Sequence, residues 1–257
     1  MELQQVIKDA IRLLKSKKIS FLLNASPLLC VFIFLGLIDY VYKFTETFEK
    51  SGQQVNSAIM PYLFLCFLLV ALVLAKTAVN SHRTFILNEK VSFLQLFIFS
   101  MRDLRFIFKF MIIFILITLI NIPLITILGL LFAESVINNQ NETMLQVFGL
   151  AINLLSAYVW SRTSLVLPAT AIDDNIDIST AWRLSRQYRT QLFLGVGLLP
   201  IITNALISSL PEIDSPFYTV FTSALWVIVA IIELGILSLM YKHISASNIN
   251  SRVTESF

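Results

Sequence analysis

Six runs of roughly twenty apolar residues dominate the chain, and runs of that length have one common solution. As helices rising about 1.5 Å per residue, they match the ~30 Å hydrocarbon core of a bilayer. They fall at roughly 20–42, 58–79, 106–132, 145–160, 192–210 and 217–241, the fourth running to at least Trp160. Composition agrees. Only 14% of the 257 residues are charged, where a soluble domain carries about 25%. Leu, Ile, Val and 21 Phe fill the difference, and the mean hydropathy is +0.80. No polar stretch is long enough for a separate soluble domain. The prediction is an all-α integral membrane protein: one membrane domain, 1–257, with six transmembrane helices in three hairpins.

The first run carries Pro27, exceeds the apolar core of a signal peptide and lacks a small-x-small cleavage site, so it is expected to stay in the membrane. Pro211 and Pro216 in "PEIDSP" stop and restart the chain between the fifth and sixth runs. Pro27, Pro123 and Pro200 lie in odd-numbered runs at different depths, which marks packing as readily as function. Lys and Arg set the orientation. Loops 43–57, 133–144 and 211–216 hold only Lys43 and Lys50, and Lys76 lies inside the second run near its basic end. Nearly all the other cations flank the opposite ends, so both termini are expected in the cytoplasm. The sequon Asn141-Glu142-Thr143 then faces outward, and a single N-x-T is too common to argue glycosylation.

The basic segments share a pattern. "LQQVIKDAIRLLKSKK" places Leu3, Val6, Ile7, Ala10, Ile11 and Leu14 on one helical face and Lys8, Arg12, Lys15 and Lys18 on another, with Lys17 at the entry to the first run. "VSFLQLFIFSMRDLRFIFK" offers Ser92 as N-cap and Arg102, Arg105 and Lys109 at its entry. "DISTAWRLSRQYRTQLF" offers Asp177 or Ser179 as cap, then Arg183, Arg186 and Arg189. Each hairpin is thus expected to follow a cytoplasmic amphipathic basic helix. Entries at Lys17, Arg102 and Arg186, with "RTFIL" at Arg83 echoed by "RTSLVL" at Arg162, suggest three internal repeats of about 1–85, 86–170 and 171–257.

Polar residues inside the apolar runs are few. Glu233 lies well within the sixth, where a carboxylate must be protonated, paired or hydrated. Its expected partner is Arg162, at similar depth if the fourth helix continues, with Lys76 as the alternative unless that side chain snorkels. Asp39 is expected to reach the outer interface. Asn24, Asn121, Asn153 and Asn204 suit interhelical hydrogen bonding, with a polar pathway as the other reading.

Chemistry is poorly represented. There is no HExxH, GxSxG, P-loop or glycine-rich dinucleotide turn, so no catalytic residue is nominated and a non-enzymatic protein is expected. Cys30 and Cys66 read as buried small hydrophobes, and with only His82 and His243 in the chain neither a metal nor any other cofactor is expected. Asp173, Asp174 and Asp177 read as a solvated turn and a helix cap, and His82 as an interfacial residue beside Arg83. A net charge of +3 gives no reason to expect nucleic acid.

Two stretches resemble a known family. "RTSLVLPATAIDDNIDISTAWRLSRQYRTQLF" is similar to the pattern R-x-x-L-x-x-P-A followed by an acidic residue and A-W-R-L, through Arg162, Pro168, Ala169, Ala181 and Trp182. "HRTFILNEKVSFLQLF" with "RDLRFIF" resembles the same family's first-half motif, through His82, Arg83, Glu89 and Phe106. The pattern marks bacterial six-span inner-membrane proteins related to the membrane domain of some glycerophosphoryl diester phosphodiesterases. The family's Trp-rich end to the arginine helix is here "YRTQLF", and its single acid after Pro-Ala is here the pair Asp173-Asp174. The resemblance implies a bacterial inner-membrane location but no activity, because the catalytic barrel of those enzymes is absent. Two functions remain open. One is binding or organising membrane lipid, above all anionic headgroups, or a membrane protein partner, through Lys15, Lys17, Lys18, Arg83, Arg102, Arg105, Arg183, Arg186 and Arg189. The other is transport of a small solute or ion at Glu233 and Arg162.

Overall fold

A computed structural model describes residues 2–42, 60–96, 98–137, 142–211, 213 and 215–254. The sequon's asparagine, Lys43, Lys50 and most of the loops expected to face outward fall outside the described residues, as does the side chain of Asp39. All regular structure among the described residues is helical. In chain order the α-helices are α1 (Leu3–Ser16), α2 (Lys18–Tyr42), α3 (Met60–Leu87), α4 (Met101–Ile137), α5 (Glu142–Thr163) and α6 (Val166–Ala171). They continue with α7 (Ile178–Leu184), α8 (Arg189–Leu192), α9 (Leu199–Ser208) and α10 (Pro216–Thr254). Six stretches are long and apolar enough to cross a membrane: Lys18–Ile38, Phe64–Leu87, Met101–Ile127, Gln146–Ala171, Ile178–Ser208 and Pro216–Asn248. The chain is a multi-pass membrane protein.

The second and fourth spans extend well past the apolar runs that announced them. Their last turns hold Asn80, Ser81, His82 and Thr84, and Ser161, Arg162, Thr163 and Ser164, all buried in protein. A polar residue covered by neighbouring helices does not have to meet lipid, so hydropathy stops short of the helix end. Past α3 and α6 the chain turns through left-handed residues, Asn88 (φ 61°) and Asp173 (φ 63°), types that tolerate that region.

The basic segments differ from one another. α1 forms as expected, but its apolar side packs on the bundle: Val6 and Ala10 join Val196, Ile236, Met240 and Ile244 in one core. A Cβ at Gly195 would come within 2.7 Å of Leu3 Cδ1, so glycine there lets α1 dock. The expected second surface helix does not form. Leu94–Leu96 is a single 3-10 turn, and Ser92 only exchanges local hydrogen bonds with Gln95. The helix starts at Met101 because Asp103 accepts from the Ser100 backbone N–H (2.7 Å) and hydroxyl (2.8 Å). Arg102, Arg105 and Lys109 therefore ride on the spanning helix itself. In the third segment Asp177 is the cap, accepting from the Thr180 N–H at 2.8 Å. The helix then passes through a 3-10 turn, Ser185–Tyr188, and a π turn, Phe193–Leu198.

α2, α3 and α10 share a core of Phe21, Ala25, Leu28, Phe85, Val227 and Ile231, with the Phe21 and Phe85 rings 4.4 Å apart. Phe85 lies flat on Gly235, where a Cβ would meet its ring at 2.5 Å. Between helices in lipid, close packing of this kind replaces the hydrophobic effect as the cohesive force. Cys30 and Cys66 are exposed on outward faces rather than buried in the bundle.

Candidate functional site

Polar chemistry is concentrated at the basic end of the bundle, and most of it is internally matched. Arg83, at the end of α3, gives its Nε (2.6 Å) and Nη2 to the two oxygens of Glu89, and donates through Nη1 to the Ala171 carbonyl at 3.0 Å. The same Nη1 lies 3.6 Å from Asp173. Arg102 also grips Asp173, with contacts of 2.6–3.0 Å. The hydrogen bonds from Arg102, aided by the charges of Arg83 and Arg105, hold the Asp173 carboxyl below its ordinary range. Asp174 accepts from the Tyr241 hydroxyl. The acidic pair, read as a solvated turn, is thus tied to α3, α4 and α10 and fixes the loop after α6. Asp177 is held down too, by its hydrogen bonds from Thr180.

Lys76 and Asp103 form a second match, 3.1 Å apart and both nearly covered. Lys76 therefore neither snorkels nor pairs with Glu233. His82 is fully buried, not interfacial. Ser238 gives its hydroxyl to the Leu234 carbonyl, so His82 Nδ1–H donates to Ser238 Oγ at 2.7 Å. His82 Nε2, Asn80 Nδ2, Ser81 Oγ and Ser164 Oγ are buried without a hydrogen-bond partner among the described residues.

The expected pair of Arg162 and Glu233 does not form. Glu233, half-buried, accepts from the Thr203 hydroxyl at 2.8 Å across the α9–α10 contact. Arg162 is 6% exposed and turns towards α7. Its Nε donates to Ser185 Oγ (2.9 Å), Nη2 to the Trp182 carbonyl (2.5 Å) and Nη1 to the Tyr158 hydroxyl (3.3 Å). The guanidinium stacks 3.8 Å from the centre of the Trp182 ring. A cation–π face and three neutral acceptors thus hold a charge that, among the described residues, no carboxylate neutralises. The breaks around α7 turn Ser185 and the Trp182 carbonyl towards α5, a geometry that helical periodicity could not have suggested.

The other nominated cations divide cleanly. Lys15, Lys18, Arg105, Arg183, Arg186 and Arg189 are exposed and, among the described residues, make no ion pair. Lys17 is partly covered and donates to Asn88 Oδ1. Of the four asparagines, Asn24 donates to Thr84 (3.1 Å) and Asn121 to Ser156 (2.8 Å), both between helices, while Asn153 and Asn204 are exposed. A mostly apolar groove of about 240 Å³ lies between α4, α5 and the π turn, lined by Asn153, Trp160, Gly197 and Pro200 among others. None of the nominated ionic residues lines it.

Comparison with protein-family models, curated proteins and solved structures finds no match. The fold and this polar layer define an all-helical, multi-pass membrane protein whose basic end is partly neutralised and partly open.

Proposed function

We propose that this is a non-enzymatic protein of a bacterial inner membrane that binds anionic lipid headgroups with its basic face. The spans are read as three hairpins with both termini in the cytoplasm, following the positive-inside distribution of Lys and Arg and the family resemblance. One observation carries the reading. Lys76, Arg83 and Arg102 each face a carboxylate, whereas Arg183, Arg186 and Arg189 stand exposed without one among the described residues. Arginines left unmatched at headgroup depth gain about 1 kcal/mol each from an anionic leaflet. Replacing all three with Gln should cut the anionic lipid that co-purifies with the protein, measured by mass spectrometry of the extracted complex. Unchanged lipid content would sink the reading.

A second reading rests on Glu233, a carboxylate deep in a span whose partner among the described residues is the Thr203 hydroxyl. As a proton or ion site it would serve transport. Glu233→Gln should then abolish a pH-driven flux in proteoliposomes at unchanged stability. A variant that only melts earlier marks a packing role.

A further inference from the structure

Three lysines from distant parts of the chain converge on the end of α3, and no carboxylate among the described residues answers them. Lys242 Nζ, from α10, donates to the Ile86 carbonyl at 3.2 Å. Lys17, at the junction of α1 and α2, donates to Asn88 Oδ1. Lys90 follows two residues later. Partial burial and then the charges of Lys90 and Lys242 push the Lys17 ammonium below its ordinary range, so both of them repel Lys17. The one acid in this stretch, Glu89, is committed, because both its oxygens accept from Arg83.

Capping does not require three cations. A helix C-terminus carries about half a negative charge, which a single lysine satisfies. The others add repulsion that no group among the described residues relieves. An anion placed between them would remove it, and phosphate, with several acceptor oxygens and a full charge, suits ammonium donors.

We propose that Lys17, Lys90 and Lys242, grouped around Asn88, form a binding site for a phosphate-bearing anion, foremost the headgroup of an anionic phospholipid. The proposal rests on the lipid-binding reading and gives it one specific seat. Lys17 stands where α1 hands over to the first span, the level at which headgroup phosphates lie.

The test uses the full chain in detergent, with native mass spectrometry during titration by phosphatidylglycerol or phosphatidylcholine. In parallel, melting is followed against inorganic phosphate at constant ionic strength. The variants are Lys17→Gln/Lys90→Gln/Lys242→Gln and, separately, Arg183→Gln/Arg186→Gln/Arg189→Gln. The lysine variant should lose one tightly held phosphatidylglycerol, its affinity falling roughly fivefold for each lysine removed. Its melting temperature without added anion should hold or rise, since repulsion is relieved. If the lysine variant keeps that lipid while the arginine variant loses lipid, the site is refuted and the general reading survives. If the wild type shows no preference for phosphatidylglycerol, the general reading falls. The site then stands only if phosphate stabilises the wild type and not the lysine variant, which would make free phosphate its ligand. An earlier melt with an unchanged response to both anions means the lysines merely cap α3, and overturns the proposal.

Discussion

The spans Gln146–Ala171 and Met101–Ile127 are of similar length and both carry arginines, yet they do opposite work. Over an apolar stretch of eighteen residues in each, half of the first is buried inside the protein, against 6% of the second. Their mean hydropathies run the other way, 1.2 and 2.7. In a bilayer, hydropathy reports contact with lipid rather than burial. The fourth span can hold Ser161, Thr163, Ser164 and Thr170 because protein surrounds them. The third turns Phe108, Phe114, Leu119 and Ile125 outward, and its Thr118 and Thr126 spend their hydroxyls on carbonyls four residues back. The least hydrophobic span organises the bundle, and the most hydrophobic one faces solvent hydrocarbon.

The hardest way to break that contrast is to remove the buried cation of the fourth span. Arg162→Ala takes one donor from the Trp182 carbonyl and one from Ser185 Oγ, leaving them the 2.8 Å bond between themselves, and empties the space over the Trp182 ring. The expected loss is about 3 kcal/mol, read as an earlier thermal melt in detergent. Arg162→Lys should recover only part of it, because an ammonium cannot stack or reach three acceptors at once. Arg105→Ala, exposed on the third span, should stay within about 0.5 kcal/mol. Equal effects at the two positions would erase the distinction.

Much of this was legible in the sequence, and the reason for the rest is specific. Six spans follow from apolar run length alone, since lipid forces backbone groups to pair within each helix. Asp177 was legible too, as one of two candidate caps beside Ser179, and the cost of a charge in hydrocarbon drew notice to Arg162. The partner of Arg162 was not. Depth along a helix ranks candidates, but direction around it decides, and Ser185 faces α5 only because the chain leaves α-helical geometry after Leu184. Ser100 and Asp103 carried a signal that was open to reading: a Ser followed three residues later by an acid starts a helix there and forbids a longer surface helix upstream. Glu89, Asp103 and Asp173 could also have been matched with Arg83, Lys76 and Arg102 simply because acids are so scarce near these spans.

A packing test sharpens the comparison with a smaller effect. Ala169 is fully buried in α6, so Ala169→Leu must displace neighbours and should cost about 1–3 kcal/mol. Phe114→Leu, on the outward face of α4, exchanges one lipid-facing hydrocarbon for another and should leave the melt unchanged. A stable Ala169→Leu protein would mean that the region around α6 yields, and that its burial is not close packing.

The smallest effect lies where the two spans are tied together, at Arg102 in the first turns of one and Asp173 just beyond the other. Asp173→Asn keeps a residue type that tolerates the left-handed backbone there and removes only the charge. A carboxylate whose folded pKa lies below its ordinary value of 3.8 stabilises the fold fully above that value. The contribution is lost as pH falls through the depressed folded value. The gap in melting temperature between wild type and Asp173→Asn should therefore be constant from neutral pH down to about pH 5 and close below about pH 4. Asp173 is half exposed, so solvent screening keeps the gap to a fraction of a kcal/mol, and raising the salt should shrink it further. A gap that persists unchanged at low pH would show that the bond to Arg102 contributes through shape and not through charge.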